Sequence, residues 1–247
     1  MTRPPSMLPS RPWNGLWLLD AFCCAGGAAM GYYLAGFEVV GVDVESQPNY
    51  PFAFVRGDAI EFIKAHGHEF HAGHGSPPCQ GYSTLNAYNH KDYPHLIAPT
   101  RQAFQAAGLP YVIENVQAAA GELIDPVTLC GPMFGLAMYR HRAFETSFPF
   151  TAPAHPAHTA LCARNGYLPT PDRPFMSIHG GRHSRAWQNA AADAMAMSWT
   201  RVPTGGDIPR GIREVCEAIP PAYTHRLGAA LALHLTADRV LYEGSAA

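Results

Sequence analysis

The feature that most constrains this chain is a repeated local pattern. A short apolar run is followed by small or acidic residues and then by a segment of helical texture. Leu16–Phe22 is the first such run and ends in a Cys/Ala/Gly loop; a helix is expected over Ala28–Ala35, stopped by Gly36. Val39–Val44 ends in acids, Ala53–Val55 leads into Gly57-Asp58, and Ile60–His66 reads as a short helix. Phe70–His74 runs into Gly75-Ser76-Pro77-Pro78-Cys79-Gln80. Ile97–Ala107 reads as a helix with Pro99 in its first turn, and Tyr111–Val116 as a strand. Apolar runs of this length, flanked by glycine and proline, are buried strands. Their alternation with helices requires crossover connections, hence a mostly parallel, doubly wound α/β sheet. Ligands of such sheets sit at the carboxyl ends of the strands. The polar motifs described below each follow such a strand.

The 247 residues, 47% of them hydrophobic, supply one substantial core and a small lobe. Residues 1–15 are Pro-rich and are expected to form a flexible arm. Residues 16–149 plus 206–247 form the expected main domain, interrupted by a short irregular region at 150–205. That region is rich in Pro, His and Gly over 151–185, with a helix expected over Ala190–Trp199. Arg213–Leu235 reads as a loop through Pro220-Pro221 followed by a helix. No internal repeat is visible.

A net charge of −2 excludes a global basic field, so any polyanion site is a local patch. Lys64 and Lys91 are the only lysines. Arginine suits bidentate contacts to phosphate and base edges; a GC-rich genome would favour it equally. The six cysteines are scattered apart from the adjacent Cys23 and Cys24. No secretory h-region precedes them and no apolar run spans a bilayer. A cytoplasmic protein (bacterial, or in a phage-infected cell) with reduced thiols is expected, so that a cysteine within a motif can be reactive.

Two loops carry the chemistry. In Asp20-Ala21-Phe22-Cys23-Cys24-Ala25-Gly26-Gly27, small residues let backbone approach a ligand, and the following helix N-terminus favours an anion. Asp43 follows at the distance of a ribose-binding acid, and Asp58 could accept from an adenine amino group. An ordinary strand–turn–helix would read the same way without the two acids. In Gly75–Ser83, two prolines fix the backbone before Cys79 and Gly81 follows it, which holds one thiol in a set pose. Amides near a helix start would lower its pKa; a buried structural cysteine in a turn is the alternative. Glu114-Asn115-Val116 offers a carboxyl at a strand end that could protonate a ring nitrogen, or a surface acid. Arg140-His141-Arg142 could hold a carbonyl oxygen and a carboxylate, or form a solvated basic turn.

Together these motifs resemble the C5-cytosine DNA methyltransferases. Asp20–Gly27 looks like their first S-adenosyl-L-methionine (SAM) loop, with Asp43 and Asp58 as the ribose and adenine acids. Gly75–Ser83 is similar to their Pro-Cys-Gln loop, Glu114-Asn115-Val116 to their Glu-Asn-Val motif, and Arg140-His141-Arg142 to their Arg-x-Arg motif. Cys216–Pro221 is similar to their C-terminal Gly-Asn-Ala-Val-Pro-Pro segment. The resemblance covers residues 16–145 and 211–235, with the six motifs in order. It departs at Cys24, where a glycine is usual, at Glu217, where an asparagine is usual, and at Met138, where a glutamine often stands.

The resemblance implies a Rossmann-like SAM-dependent methyltransferase sheet and a solitary enzyme for DNA methylation, in restriction–modification or phage DNA protection. It implies a catalytic set of Cys79, Glu114, Arg140 and Arg142. SAM would be held by Phe22, Cys24, Ala25, Gly26, Gly27, Asp43, Val44, Asp58, Ala59, Pro78, Glu217 and Ala218. Thiolate attack by Cys79 at C6 makes C5 enamine-like, with Glu114 at N3 and Arg142 at O2. A stacked base cannot reach such a pocket and must be flipped.

Residues 150–205 then correspond to a short target-recognition region. The resemblance and the glycine-flanked basic stretch His179–Arg185 point to Gln80, Ser83, Arg182, His183 and Arg185 as contacts to double-stranded DNA, although a surface loop reads similarly. His155, His158, Cys162, His179 and His183 are ligand-type residues that could hold zinc, but their spacing is no standard finger and no metal is assigned to the site. A monomer without membrane association is expected. The alternatives are an RNA (tRNA) cytosine methyltransferase, a catalytically weak SAM- or DNA-binding regulator, and an enzyme for free cytosine nucleotide.

Overall fold

The computed structural model describes residues 8–82, 93–178, 183–202 and 214–244, with backbone alone for 238–244. Its frame is a seven-stranded sheet of strands β1 (Trp17–Ala21), β2 (Glu38–Asp43), β3 (Ala53–Arg56), β4 (Ala72–Gly75), β5 (Tyr111–Val116), β6 (Val127–Leu129) and β7 (Arg142–Thr146). The spatial order is β3-β2-β1-β4-β5-β7-β6. Neighbours pair in parallel except β7, which runs antiparallel to both β5 and β6. The described α-helices are α1 (Gly27–Leu34), α2 (Ala59–His66), α3 (Ile97–Ala106), α4 (Arg185–Ala194), the single turn α5 (Glu214–Glu217) and α6 (Pro221–Gly244).

Period-two alternation divides the strand side chains between two cores. Leu18, Val112 and Phe144 face a core shared with Tyr32 of α1 and with Tyr223 and Leu227 of α6. Their chain neighbours Leu19, Ile113 and Ala143 face the opposite core, with Ile63 of α2 and Phe104 of α3. Helices thus cover both faces, so both faces of the central strands are buried and their sequence reads as nearly continuous apolar runs. The doubly wound α/β fold expected from the alternation is the fold observed.

Close backbone approach locks α6 to α1. A Cβ on Gly27 would lie 2.3 Å from the Ile219 carbonyl oxygen, and one on Gly31 would lie 2.0 Å from Thr224 Oγ1. These glycines share one face of α1. Only hydrogen at both positions lets the C-terminal segment return to the sheet.

Two expectations need correction. The arm is anchored over its described part: Arg11 donates to the carbonyls of Gly36 and Phe37 at 2.8 and 2.9 Å, and lies over the Tyr33 ring. The helix expected over Ala190–Trp199 starts earlier, because the Ser184 side chain accepts from the Trp187 amide and caps it. The described residues of 150–205 pack onto the main domain. Met176, Ile178, Trp187, Ala191 and Met195 pack with Ala25 of the SAM-type loop and with Val215 and Ala218. Among the described residues, no helix is long and apolar enough to cross a membrane.

Candidate active site

The carboxyl ends of β4 and β5 bring the Cys79 loop and Glu114 together. Glu114 sits within β5 and is 5% exposed. Arg142, the first residue of β7, places its Nε 3.0 Å from Glu114 Oε1. The reversed strand makes this possible: the antiparallel register sets Glu114 opposite Phe144 and Val116 opposite Arg142, so the arginine reaches back along β5. Burial raises the Glu114 pKa, with Arg142 and the Ser76 hydroxyl opposing.

A buried polar chain leads to the same carboxyl. The Tyr32 hydroxyl lies 3.1 Å from His74 Nδ1, and His74 Nε2 lies 2.9 Å from Ser76 Oγ. Burial pushes His74 down to about 3, so the ring is neutral. With Tyr32 donating to Nδ1, the Nε2–H donates to Ser76, whose hydroxyl donates to Glu114. Sequence reasoning passed over His74 and Ser76; their positions within and just after β4 were the available signal.

The Cys79 loop is fastened from below, where the Asn115 amide donates to the Pro77 carbonyl at 2.8 Å in a buried contact. The expectation of a pKa lowered by helix amides is not met. Burial raises the Cys79 thiol, and the Arg142 charge counters it. The described residues after Cys79 form a turn rather than a helix.

Arg140 is held by backbone carbonyls. Its Nε donates to the Ala218 carbonyl at 3.1 Å, and its terminal nitrogens donate to the carbonyls of Ala218, Cys216 and Ile178. The Tyr223 hydroxyl donates to the Arg140 carbonyl at 2.7 Å. Four polar atoms of the guanidinium and backbone are thereby engaged by protein, and Arg140 ties the start of β7 to Ile178 and to the C-terminal segment.

In the loop after β1, Phe22 and Cys24 take the left-handed conformation at φ 57 and φ 46. Cys24 keeps the backbone shape that a glycine would take at low cost. Its amide donates to Asp43 Oδ2 at 3.0 Å, while the Glu45 amide donates to Oδ1. Its thiol lies 3.9 Å from Glu217 Oε2, so two departures from the family pattern face one another. The first turn of α1 has neither a side-chain cap nor an acid. Val44 leaves the sheet 64% exposed beside the half-exposed Asp43. An uncapped amide end, a carboxylate and an exposed apolar face suit the carboxylate, ribose and adenine of SAM.

Other expected contacts are enclosed by protein. Ala25, Ala59 and Ala218 are buried, and Gly26 packs on Tyr50 and Pro51. The Ala25 carbonyl accepts from Trp199 Nε1 at 2.9 Å. Asp58 Oδ1 accepts from the Glu61 amide as the N-cap of α2, which leaves one carboxyl oxygen for a ligand. Pro78 is half-buried and Gln80 exposed.

The expected DNA contacts are divided. Ser83 and Arg182 lie outside the described residues, as does His179. His183 stacks on Trp187 with ring centroids 3.6 Å apart, and Arg185 opens α4. Of the ligand-type residues, His155 and His158 come together with Cys130 and His141. Cys162 stands elsewhere, its carbonyl accepting from Arg173.

Solved structures with related folds include the Schizosaccharomyces pombe Dnmt2 methyltransferase. It has 12% identity, a TM-score of 0.52, and coverage of 89% of this chain and 99% of that chain. The Entamoeba histolytica methyltransferase EhMeth has 12% identity and a TM-score of 0.52, with coverage of 92% of this chain and 99% of that one. An E. coli prophage protein described as a DNA modification methyltransferase is 22% identical, with a TM-score of 0.41. That match spans 53% of this chain and 45% of the other. The first two likenesses establish a Rossmann-like methyltransferase fold. Comparison of the sequence with family models and with curated proteins finds no match.

Proposed function

We propose that this protein transfers a methyl group from SAM to C5 of cytosine in DNA, with Cys79 as the nucleophile. The observation that carries this reading is the grouping at the ends of β4 and β5. Cys79 stands on a proline-fixed loop, and a buried Glu114 is held by Arg142 and by Ser76. A cytosine methyltransferase needs these groups, because C5 is a poor nucleophile until C6 is attacked. The fold neighbours support methyl transfer as the general reaction class.

These residues divide the proposed covalent chemistry between them. The Cys79 thiolate forms a bond to C6, and the C5–C6 π electrons shift toward C5 and N3. Glu114 in its protonated form donates to N3 as that charge develops, which burial of the carboxyl favours. Arg142 opposes the rise of the thiol pKa and orients the carboxyl through Nε. SAM supplies an electrophilic methyl group for the enamine-like C5. Transfer of the C5 proton to a solvent-derived base then lets the C6–S bond break, which releases the Cys79 thiolate and restores the aromatic ring. Phe22, Asp43, Val44 and the start of α1 would hold the cofactor. A target base must leave the duplex stack, at a cost of about a few kcal/mol.

An oligonucleotide carrying 5-fluorocytosine tests this, because fluorine at C5 cannot leave as a proton and the adduct persists. A denaturation-resistant complex that requires SAM and disappears in Cys79→Ser is the expected result. Absence of an adduct on all cytosine-containing DNA and RNA would overturn the assignment. An adduct on tRNA alone would move the substrate from DNA to RNA.

A further inference from the structure

Cys130, His141, His155 and His158 each present one ligand atom, and the four atoms lie within 4.8 Å of one another. We propose that they bind one zinc ion, which staples the root of the recognition region to the strand that carries Arg142. This site is separate from the proposed catalytic centre and does not depend on its assignment.

Two of the six ligand-atom separations are close to tetrahedral edges. Cys130 Sγ lies 3.6 Å from His158 Nε2, and His141 Nε2 lies 3.2 Å from His155 Nε2. Zinc bonds of about 2.3 Å to sulfur and about 2.0–2.1 Å to nitrogen give tetrahedral edges of about 3.6 Å and about 3.3–3.4 Å. One thiolate and three imidazoles form a donor set suited to zinc and unsuited to magnesium or calcium, which take oxygen. All four positions come from protein, as in a structural site without an open coordination position.

The surrounding groups support the same arrangement. His155 Nδ1 lies 3.0 Å from the Pro156 carbonyl, so its proton is there and Nε2 carries a lone pair facing His141. Such an outer hydrogen bond to a carbonyl orients a metal-binding imidazole. Tyr139 stacks on His158 at 3.8 Å between ring centroids and 18° between planes. The Tyr139 hydroxyl accepts from the Ala160 amide at 2.9 Å and donates to the Ala160 carbonyl at 3.0 Å. The ring that backs His158 is therefore itself fixed.

The topology supplies the reason for a staple. In the β6–β7 register Leu129 pairs with Arg142, which sets Cys130 after β6 beside His141 before β7. These two ligands are rooted in the sheet. The other two lie on the segment from Thr151 to His158, which contains no helix or strand. A four-way bond would hold that segment against the sheet edge one residue from Arg142.

The test uses the full chain purified without a polyhistidine tag. Elemental analysis is expected to find about one zinc per chain. Cobalt substitution should produce a thiolate charge-transfer band with tetrahedral d–d bands. Cys130→Ser and the exposed His155→Gln should each bring the zinc content near zero, whereas Cys162→Ser should leave it unchanged. Should Cys130→Ser fail to fold, His155→Gln and chelation of the wild-type chain remain. Chelation should lower Tm, and added zinc should restore it. A zinc-replete preparation with under about a tenth of an equivalent, and no Tm response to zinc or chelator, would overturn the proposal. So would full occupancy by a different metal.

Discussion

Arg142 Nε lies 3.0 Å from Glu114 Oε1, and the two side chains are 15% and 7% exposed. Burial raises the Cys79 thiol pKa, and the same guanidinium opposes that rise. One cation on β7 therefore acts on both groups of the proposed reaction. Arg142→Ala should reduce adduct formation by at least ~100-fold. Urea unfolding should show a loss of about 3 kcal/mol, because a buried carboxyl loses its cation. Arg142→Lys keeps the charge without the planar fork and should recover more stability than rate. An adduct rate within about twofold of wild type in Arg142→Ala would remove this residue from the mechanism.

The thiol pKa sets a pH profile. Burial places Cys79 above its ordinary value of 9.0, so the thiolate fraction is small at neutral pH and grows as pH rises through and beyond that value. The rate of Cys79 alkylation by iodoacetamide, taken as the difference from Cys79→Ser, should keep climbing across this range, because it needs the thiolate and not the protonated Glu114. A plateau reached well below pH 9.0 would contradict the sign of the shift.

His74 predicts acid sensitivity. Its folded pKa is depressed from 6.5 to about 3, so the unfolded chain binds the proton more readily. Stability from this group is present above pH 6.5 and is lost as pH falls toward about 3. The slope reaches about 1.4 kcal/mol per pH unit. His74→Gln should flatten the acid limb of Tm against pH, and an unchanged limb would place the acid sensitivity elsewhere.

Ser76→Ala should act on Glu114 without touching the cofactor loop. It removes the hydroxyl that joins His74 to the carboxyl and leaves a buried Nε2–H unpaired. About 1–3 kcal/mol of stability should be lost. Adduct formation should slow by ~10-fold while SAM affinity by calorimetry stays within about twofold. Weakened SAM binding equal to the loss of rate would indicate a merely structural role.

Gly27→Ala and Gly31→Ala test the return of the C-terminal segment. The new methyl groups would meet the Ile219 carbonyl at 2.3 Å and Thr224 Oγ1 at 2.0 Å. Each should cost at least about 1–3 kcal/mol in denaturant unfolding. Neutral substitutions would mean that α6 shifts without consequence.

The sequence by itself determined the strand–helix alternation, and with it a parallel sheet whose motifs lie at the strand ends. Local causes suffice for that: apolar runs of strand length, Pro77-Pro78 before Cys79, and the capping acid Asp58 before α2. The pairings were decided by the tertiary structure. The reversed β7 brings Arg142 to Glu114, the return of α5 and α6 brings Glu217 to Cys24, and the β6–β7 edge sets Cys130 and His141 beside His155 and His158. Arg140 shows the same divide, since its motif was legible while its partners at Ile178, Cys216 and Ala218 were not. Periodicity and turn chemistry act over a few residues. Partners distant along the chain are chosen by which strands pair and which faces are buried, and only the packed sheet sets both.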